Sequence, residues 1–175
     1  MNEVLKNIIE RRSIRKFKPT PVARELLEEI ARAGLYAASA MGGQRSVIVE
    51  VSNRELRDRI SEMNRRIGGW QQGFDPFYGA PAMLIVLAEK DCANRVYDGS
   101  LVMGNLMLAA HSLGLGSCWI HRAKEEFETS EGREILRSIG IEGEYEGIGH
   151  CAIGYVDGEY PQVPPRKPNR FFAAR

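Results

Sequence analysis

Residues 11–18 read RRSIRKFK, and five of these eight positions are Arg or Lys. Arg11, Arg12, Ser13 and Arg15 combine guanidinium forks with a hydroxyl. That donor set suits a phosphate and further oxygens strung along one ligand. A second basic cluster, Arg166-Lys167, stands inside PPRKP near the other end of the chain. Two rigidly presented clusters suit one shared anionic ligand, whereas an isolated basic run reads more simply as a solvated loop. The formal net charge is only +1 at pH 7, so the positive charge is a local device. Near-neutrality also counts against broad nucleic-acid binding, leaving a basic nucleic-acid arm as the weakest of the functional readings.

Other chemistry is sparse. There is no P-loop and no HExxH, and His111, His121 and His150 are too scattered to nominate a metal site. His111 falls within an apolar helical pattern and reads as a satisfied core histidine. Residues 147–152, GIGHCA, fit the dinucleotide fingerprint G-x-G-x-x-A. That motif needs a following helix and a second strand. Here Pro161, Pro164, Pro165 and Pro168 follow instead, so the segment reads as a strand whose small residues permit close packing. No Ser or Cys pairs visibly with a His. A site whose chemistry is carried by a bound cofactor needs no such pair.

The elements that hold these groups follow from periodicity. Val4, Leu5, Ile8 and Ile9 predict a helix ending near Arg11. Thr20 and Pro21 suit the cap and first position of a second helix, continued by Leu26, Leu27, Ile30 and Leu35. Ser46–Val51 reads as a strand. Ser52 and Glu55 have capping-box spacing for a charged helix running to about Arg66. Residues 68–81, GGWQQGFDPFYGAP, form a loop rich in glycine and aromatics, and Ala82–Ala88 is a buried strand. Residues 97–113 make a helix apolar almost all round and therefore central. A short strand over Ser117–Ile120, a helix within 124–139 and a strand over 148–156 complete the pattern. The Pro-rich tail, residues 158–175, reads as an extended arm.

The 175 residues suit one domain, residues 1–175, with 43% hydrophobic composition. No apolar run is long enough to span a membrane, and the N-terminus lacks a secretory apolar core. Cys92, Cys118 and Cys151 form no disulfide framework and suit reduced thiols in a cytoplasm.

At this point a resemblance becomes specific. IIERRSIRKFKPTPV (8–22), LLEEIARAGLYAASAMGGQ (26–44), FYGAPAMLIVLA (77–88) and LVMGNLMLAAHSLGLGSCWI (101–120) resemble, in order, the nitroreductase family of FMN-dependent oxidoreductases. Residues 148–168 resemble the family's closing segment, so the likeness spans nearly the whole chain. Strand–helix alternation alone suggests a parallel α/β sheet. The resemblance implies instead an α+β fold, with a mostly antiparallel sheet flanked by helices. It also implies a homodimer with FMN at the subunit interface and the C-terminal arm exchanged between subunits.

By the same resemblance, Arg11, Arg12, Ser13 and Arg15 fall on the N-terminal flavin-binding motif. Arg11 and Ser13 would hold the phosphate and ribityl end, and Arg15 would lie near flavin N1 and the C2 carbonyl. A cation there would steady the anionic reduced flavin. Arg166, with Lys167 beside it, falls on the tail's phosphate-binding arginine. Trp119, Ile120, His121 and Arg122 fall where backbone meets the N5–O4 edge, and Ser39 sits in the loop contributed by the partner.

Three departures stand out. Ala38, Gly42 and Arg45-Ser46 replace Pro, Asn and Pro-Trp of the family's PSAxNxQPW loop. His121-Arg122 replace a small, often Gly-rich pair, which would narrow substrate choice. Asn64 is a weak counterpart of the family's asparagine near the pyrimidine end. Trp70, Phe74, Phe77 and Tyr78 read equally well as a mobile lid over the flavin or as packing of a surface loop. The implied activity is hydride transfer from NAD(P)H to flavin, then reduction of a nitroaromatic, quinone or similar small-molecule acceptor by ping-pong kinetics. The flavin carries the chemistry, so no catalytic side chain and no metal are expected. The alternative is a flavin-binding protein with a sensory or storage role and little turnover.

Overall fold

Four strands, β1 (Ser46–Val51), β2 (Ala82–Glu89), β3 (Gly116–Ile120) and β4 (Tyr145–Gly154), form one sheet. Their order is β1-β2-β4-β3, and every neighbouring pair is antiparallel. The computed structural model describes residues 1–174; Arg175, the tip of the predicted arm, lies outside the described residues. Six helices surround the sheet: α1 (Glu3–Glu10), α2 (Arg24–Leu35), α3 (Arg54–Gly68), α4 (Arg95–Ser112), α5 (Ala123–Glu128) and α6 (Ser130–Ser138). The antiparallel sheet agrees with the expected α+β fold and overturns the parallel sheet that alternation alone suggests.

β2 is apolar at nearly every position because both of its faces are covered. Met83, Ile85 and Leu87 point to one side, with Ile60 and Met63 of α3 and Phe127, Ile135 and Leu136 of α5 and α6. Ala82, Leu84 and Val86 point to the other, with Leu27 and Ile30 of α2 and Met103, Leu106 and Ala110 of α4. The period-two alternation of a strand thus feeds two cores from one run of residues.

GIGHCA lies inside β4, as the small-residue reading expects. A Cβ on Gly147 would stand 2.2 Å from the Ala123 carbonyl oxygen, and one on Gly149 would stand 2.2 Å from Trp119 Nε1. The glycines therefore let α5 and the Trp119 ring lie directly on the strand.

Several boundaries differ from expectation. α2 starts at Arg24 and its cap, Ala23, offers no side-chain bond. Residues 20–23 lie outside the helix, and Val22 among them is buried in the core. The cap of α3 is Asn53, whose Oδ1 accepts from Leu56 N at 2.9 Å, while Ser52 Oγ donates to Glu50. The single helix expected within 124–139 is broken at Thr129, which is extended and whose Oγ1 accepts from Gly132 N at 3.0 Å. α4 buries one face, but Val96, Tyr97 and Leu101 are exposed, so it is not surrounded within this chain. α1 buries no residue at all.

Candidate functional site

The basic segment is held as an added rim of the sheet. Ser13 bridges Ser117 in parallel, with Ile14 N donating to Ser117 O at 2.9 Å, and Phe17 bridges Val156. Ile14 and Phe17 are thereby buried, while Arg15 and Lys16 face outward. Lys16 pairs with Asp157 at 2.9 Å. Arg12 is committed to carbonyl oxygens of Ile9, Arg11 and Gln162, closing the end of α1 and tying down the start of the tail. Arg11 leans on Met107 Sδ at 3.9 Å. Among the described residues neither Arg11 nor Arg15 has an acidic partner.

Beside this rim lies an open cleft of ≈ 280 Å³. Arg15 lines it on one side, and Trp119, Ile120, His121 and Arg122 form its floor and edge. Trp70, Phe74 and Tyr78 form an aromatic wall; Trp70 and Phe74 are 5.3 Å apart between ring centres. Phe77 does not belong to that wall: it is fully buried, so it is core rather than lid. No Asp or Glu lines the cleft. The donor set is therefore cationic and flat-walled, which fits a planar anionic ligand. Burial pushes the Cys151 thiol up to about 12. Burial also raises the Cys118 thiol at the cleft, so neither serves as a ready nucleophile.

Two structures support the cleft. In the first, the wall is folded around Asp75. Its Oδ1 accepts from Ser61 Oγ and Phe77 N, and its Oδ2 accepts from Gly79 N and the Arg57 guanidinium. Burial alone would push this carboxyl up, but Arg57 and the two amides outweigh it and hold it below the usual carboxylate value. A carboxyl with a lowered native pKa stabilises the fold fully above its unfolded value and loses that contribution as pH falls through the native one. The aromatic wall should therefore stay closed at neutral pH and loosen only in acid below the ordinary carboxylate range. Tryptophan emission against pH checks this. Asp75→Asn should remove the acid transition, and Asp75→Ala should cost about 2–3 kcal/mol, because Ser61 Oγ, two loop amides and one arm of Arg57 lose their acceptor while Arg57 keeps Asp58 and Ala80 O. An unaltered acid transition in Asp75→Asn would assign it to another group.

In the second, a buried polar network underlies the floor. Asn64 Nδ2 donates to His121 O at 2.8 Å and to Glu126 Oε1 at 2.5 Å. Glu126 Oε2 lies 2.7 Å from His150 Nε2, off the ideal hydrogen-bond direction, and both side chains are fully buried. His150 Nδ1 faces Ile120 O at 3.4 Å. Asn64, the weak candidate in the sequence, thus spends its amide hydrogens on the backbone of the floor. The signal available for His150 was a polar residue inside an apolar stretch; Glu126 stands among charged neighbours and gave none, and nothing says that the two meet.

The remaining candidates lie elsewhere in this chain. Ser39 lines a separate pocket with Asp98, whose carboxylate accepts from Ala40 N at 3.1 and 3.2 Å. Arg166 and Lys167 are exposed on the tail and make no hydrogen bond or ion pair among the described residues. The tail does touch the basic segment earlier: Tyr160 Oη accepts from Arg12 N at 2.8 Å and meets His111 Nδ1 at 3.2 Å. His111 is accordingly half-buried and stacked on Tyr160 rather than a core histidine. Among the described residues no group of His, Cys, Asp and Glu is arranged to hold a metal, and no helix is long and apolar enough to cross a membrane.

The sequence pattern of the Nitroreductase family matches residues 8–155. The chain belongs to that family. Among solved structures, a nitroreductase with bound FMN from Bacteroides fragilis superposes with a TM-score of 0.89 at 29% identity, covering 100% of both chains. The FMN reductase [NAD(P)H] of Bacillus subtilis is 30% identical over an alignment of 139 positions that covers 67% of this chain and 53% of that protein. The NADPH-flavin oxidoreductase of Vibrio harveyi is 27% identical over an alignment of 177 positions, gaps included, that covers 96% of this chain and 71% of that protein. This nitroreductase-family chain thus spans about half the length of the Bacillus relative, and 60% of one from Methanothermobacter thermautotrophicus.

Proposed function

We propose that the protein is an FMN-dependent NAD(P)H oxidoreductase acting on small nitroaromatic or quinone acceptors. The observation that carries this is the cleft itself: cationic, walled by aromatic rings, free of carboxylates, and floored by the backbone of residues 119–122. A bound FMN would supply the chemistry, accepting a hydride equivalent from a nicotinamide and releasing two electrons to an acceptor.

The chain's own residues bind and orient. Arg11 and Ser13 would take the phosphate and ribityl oxygens, and Arg15 would face the pyrimidine end, where negative charge grows on reduction. Asn64, by gripping His121 O, holds the floor against which the reactive edge would lie. Ser39, Arg166 and Lys167 lie outside the cleft and would complete a second copy's site, with Arg166 and Lys167 reaching the phosphate from the exchanged arm. The exposed apolar faces of α1 and α4, with Phe171 and Phe172 of the tail, favour such a homodimer. The three unpaired thiols suit a cytoplasmic setting.

The purified protein should be yellow, release FMN on denaturation, and lose retention or shift in potential on Arg15→Ala. Donor and acceptor would take turns in one cleft, so double-reciprocal plots at several acceptor concentrations should be parallel. Intersecting lines would point to a ternary complex. A colourless protein that FMN cannot reconstitute would sink the reading, and a flavin that neither nicotinamide reduces would leave binding without turnover.

A further inference from the structure

Arg122 occupies a position that arginine rarely takes. Its φ is +80°, in the left-handed region where a non-glycine residue costs about 1 kcal/mol. The side chain does not turn out to solvent. It is half-buried, and its guanidinium carbon sits 5.8 Å from the centre of the Trp70 ring. Both groups lie over the last residue of α3: a Cβ on Gly68 would stand 2.8 Å from Arg122 Nε and 2.3 Å from Trp70 Nε1.

Its neighbours sharpen the contrast. Arg57, Arg65 and Arg66 stand on the same helix that carries the wall, and each is paired, with Asp75, Glu62 and Glu131 respectively. Arg122 alone of this group lines the cleft and has no acidic partner among the described residues. A half-buried guanidinium held over an aromatic ring, with no carboxylate paired to it among the described residues, is a receptor for an anion.

We propose that the acceptor reduced in this cleft is an aromatic compound bearing an anionic group, such as a carboxylate, and that Arg122 receives that group while Trp70 covers the ring. The proposal rests on the flavin oxidoreductase reading above. For a nitrobenzoate the reaction balances as nitro compound plus NAD(P)H plus one solvent proton, giving nitroso compound, NAD(P)⁺ and water. The nicotinamide is oxidised by two electrons, one N–O bond breaks, and the carboxylate takes no part.

The test compares 4-nitrobenzoate with neutral 4-nitrobenzamide as ratios of kcat/KM within each protein, beside equilibrium binding of benzoate read by tryptophan quenching. The parent should prefer the nitrobenzoate, with a preference that falls as salt rises. Arg122→Gln keeps a polar, hydrogen-bonding end but loses the charge and part of the reach, and should collapse the ratio and the benzoate affinity roughly ten- to a hundred-fold. Arg122→Lys should restore part of both. Gly68→Ala, which displaces the guanidinium without removing it, should lower the ratio as well. An Arg122→Gln protein with the parent's ratio and benzoate affinity overturns the proposal. So does one whose KM rises for NADPH relative to NADH while the ratio stands, since Arg122 would then serve the nucleotide. Benzoate binding that depends on Arg122 in a protein unable to hold FMN would sink the flavin reading alone. A yellow, NAD(P)H-reducible protein indifferent to Arg122 would sink this proposal alone.

Discussion

Glu126→Ala should lower the melting temperature by roughly 10 °C. The carboxylate is fully buried against fully buried His150 and accepts from Asn64. Removing it opens a void beside the fully buried His150 ring and takes from Asn64 Nδ2 one of its two acceptors, a loss of about 3 kcal/mol. In a domain of this size each kcal/mol moves the transition by about 2–4 °C. Glu126→Gln keeps an acceptor for Asn64 and should lose much less. The floor should respond along with the stability, because the same Asn64 amide holds His121 O. A thermal melt of Glu126→Ala within a degree or two of the parent would show that the network contributes little.

If the arm is exchanged as proposed, removing residues 159–175 should produce both dissociation of the proposed homodimer and loss of FMN, by at least about a hundred-fold in affinity. Two losses combine. The charge-assisted bonds expected from Arg166 and Lys167 disappear, each contributing about 1.5–3 kcal/mol. Tyr160 also goes, releasing Arg12 N and His111 and loosening the basic segment in its own subunit. Tyr160→Phe separates the two, since it spares the arm and cuts only the local bonds. Light scattering and flavin fluorescence read the result. A truncated protein that stays dimeric and keeps its FMN contradicts the arm-exchange reading.

The sheet's strands were legible because their residues are apolar in contiguous runs: Ser46–Val51 was read to the residue, and Ala82–Glu89 within one. Their direction was not, because a strand–helix alternation is compatible with either sense. Helix starts slipped for a local reason. Thr20 and Ser52 are good caps in composition, but Val22 is drawn to the core and Asn53 reaches Leu56 N instead. The basic segment was legible from charge density, and Arg122 from its departure from small residues. What defines the cleft around them was hidden, because Asp75, Glu126 and His150 act through partners remote in sequence that only the fold brings near. The aromatic loop was half-legible: four rings were visible, but nothing local tells that Phe77 turns inward while Trp70, Phe74 and Tyr78 face the cleft.

The pairing of the N-terminal basic segment with the far end of the sheet has a consequence for biosynthesis. Arg11–Lys18 leave the ribosome well before their partners: Ser13 and Ile14 wait for Ser117, and Phe17 and Lys18 wait for Val156 and Tyr155. Contacts this distant in sequence close late. The nascent chain therefore displays an undocked cationic segment until β3 and β4 have emerged, and no ligand can lock into the rim before they have paired. Cofactor loading at this rim must follow the docking of two segments far apart in the chain, so it waits on tertiary pairing rather than on synthesis of the basic segment itself.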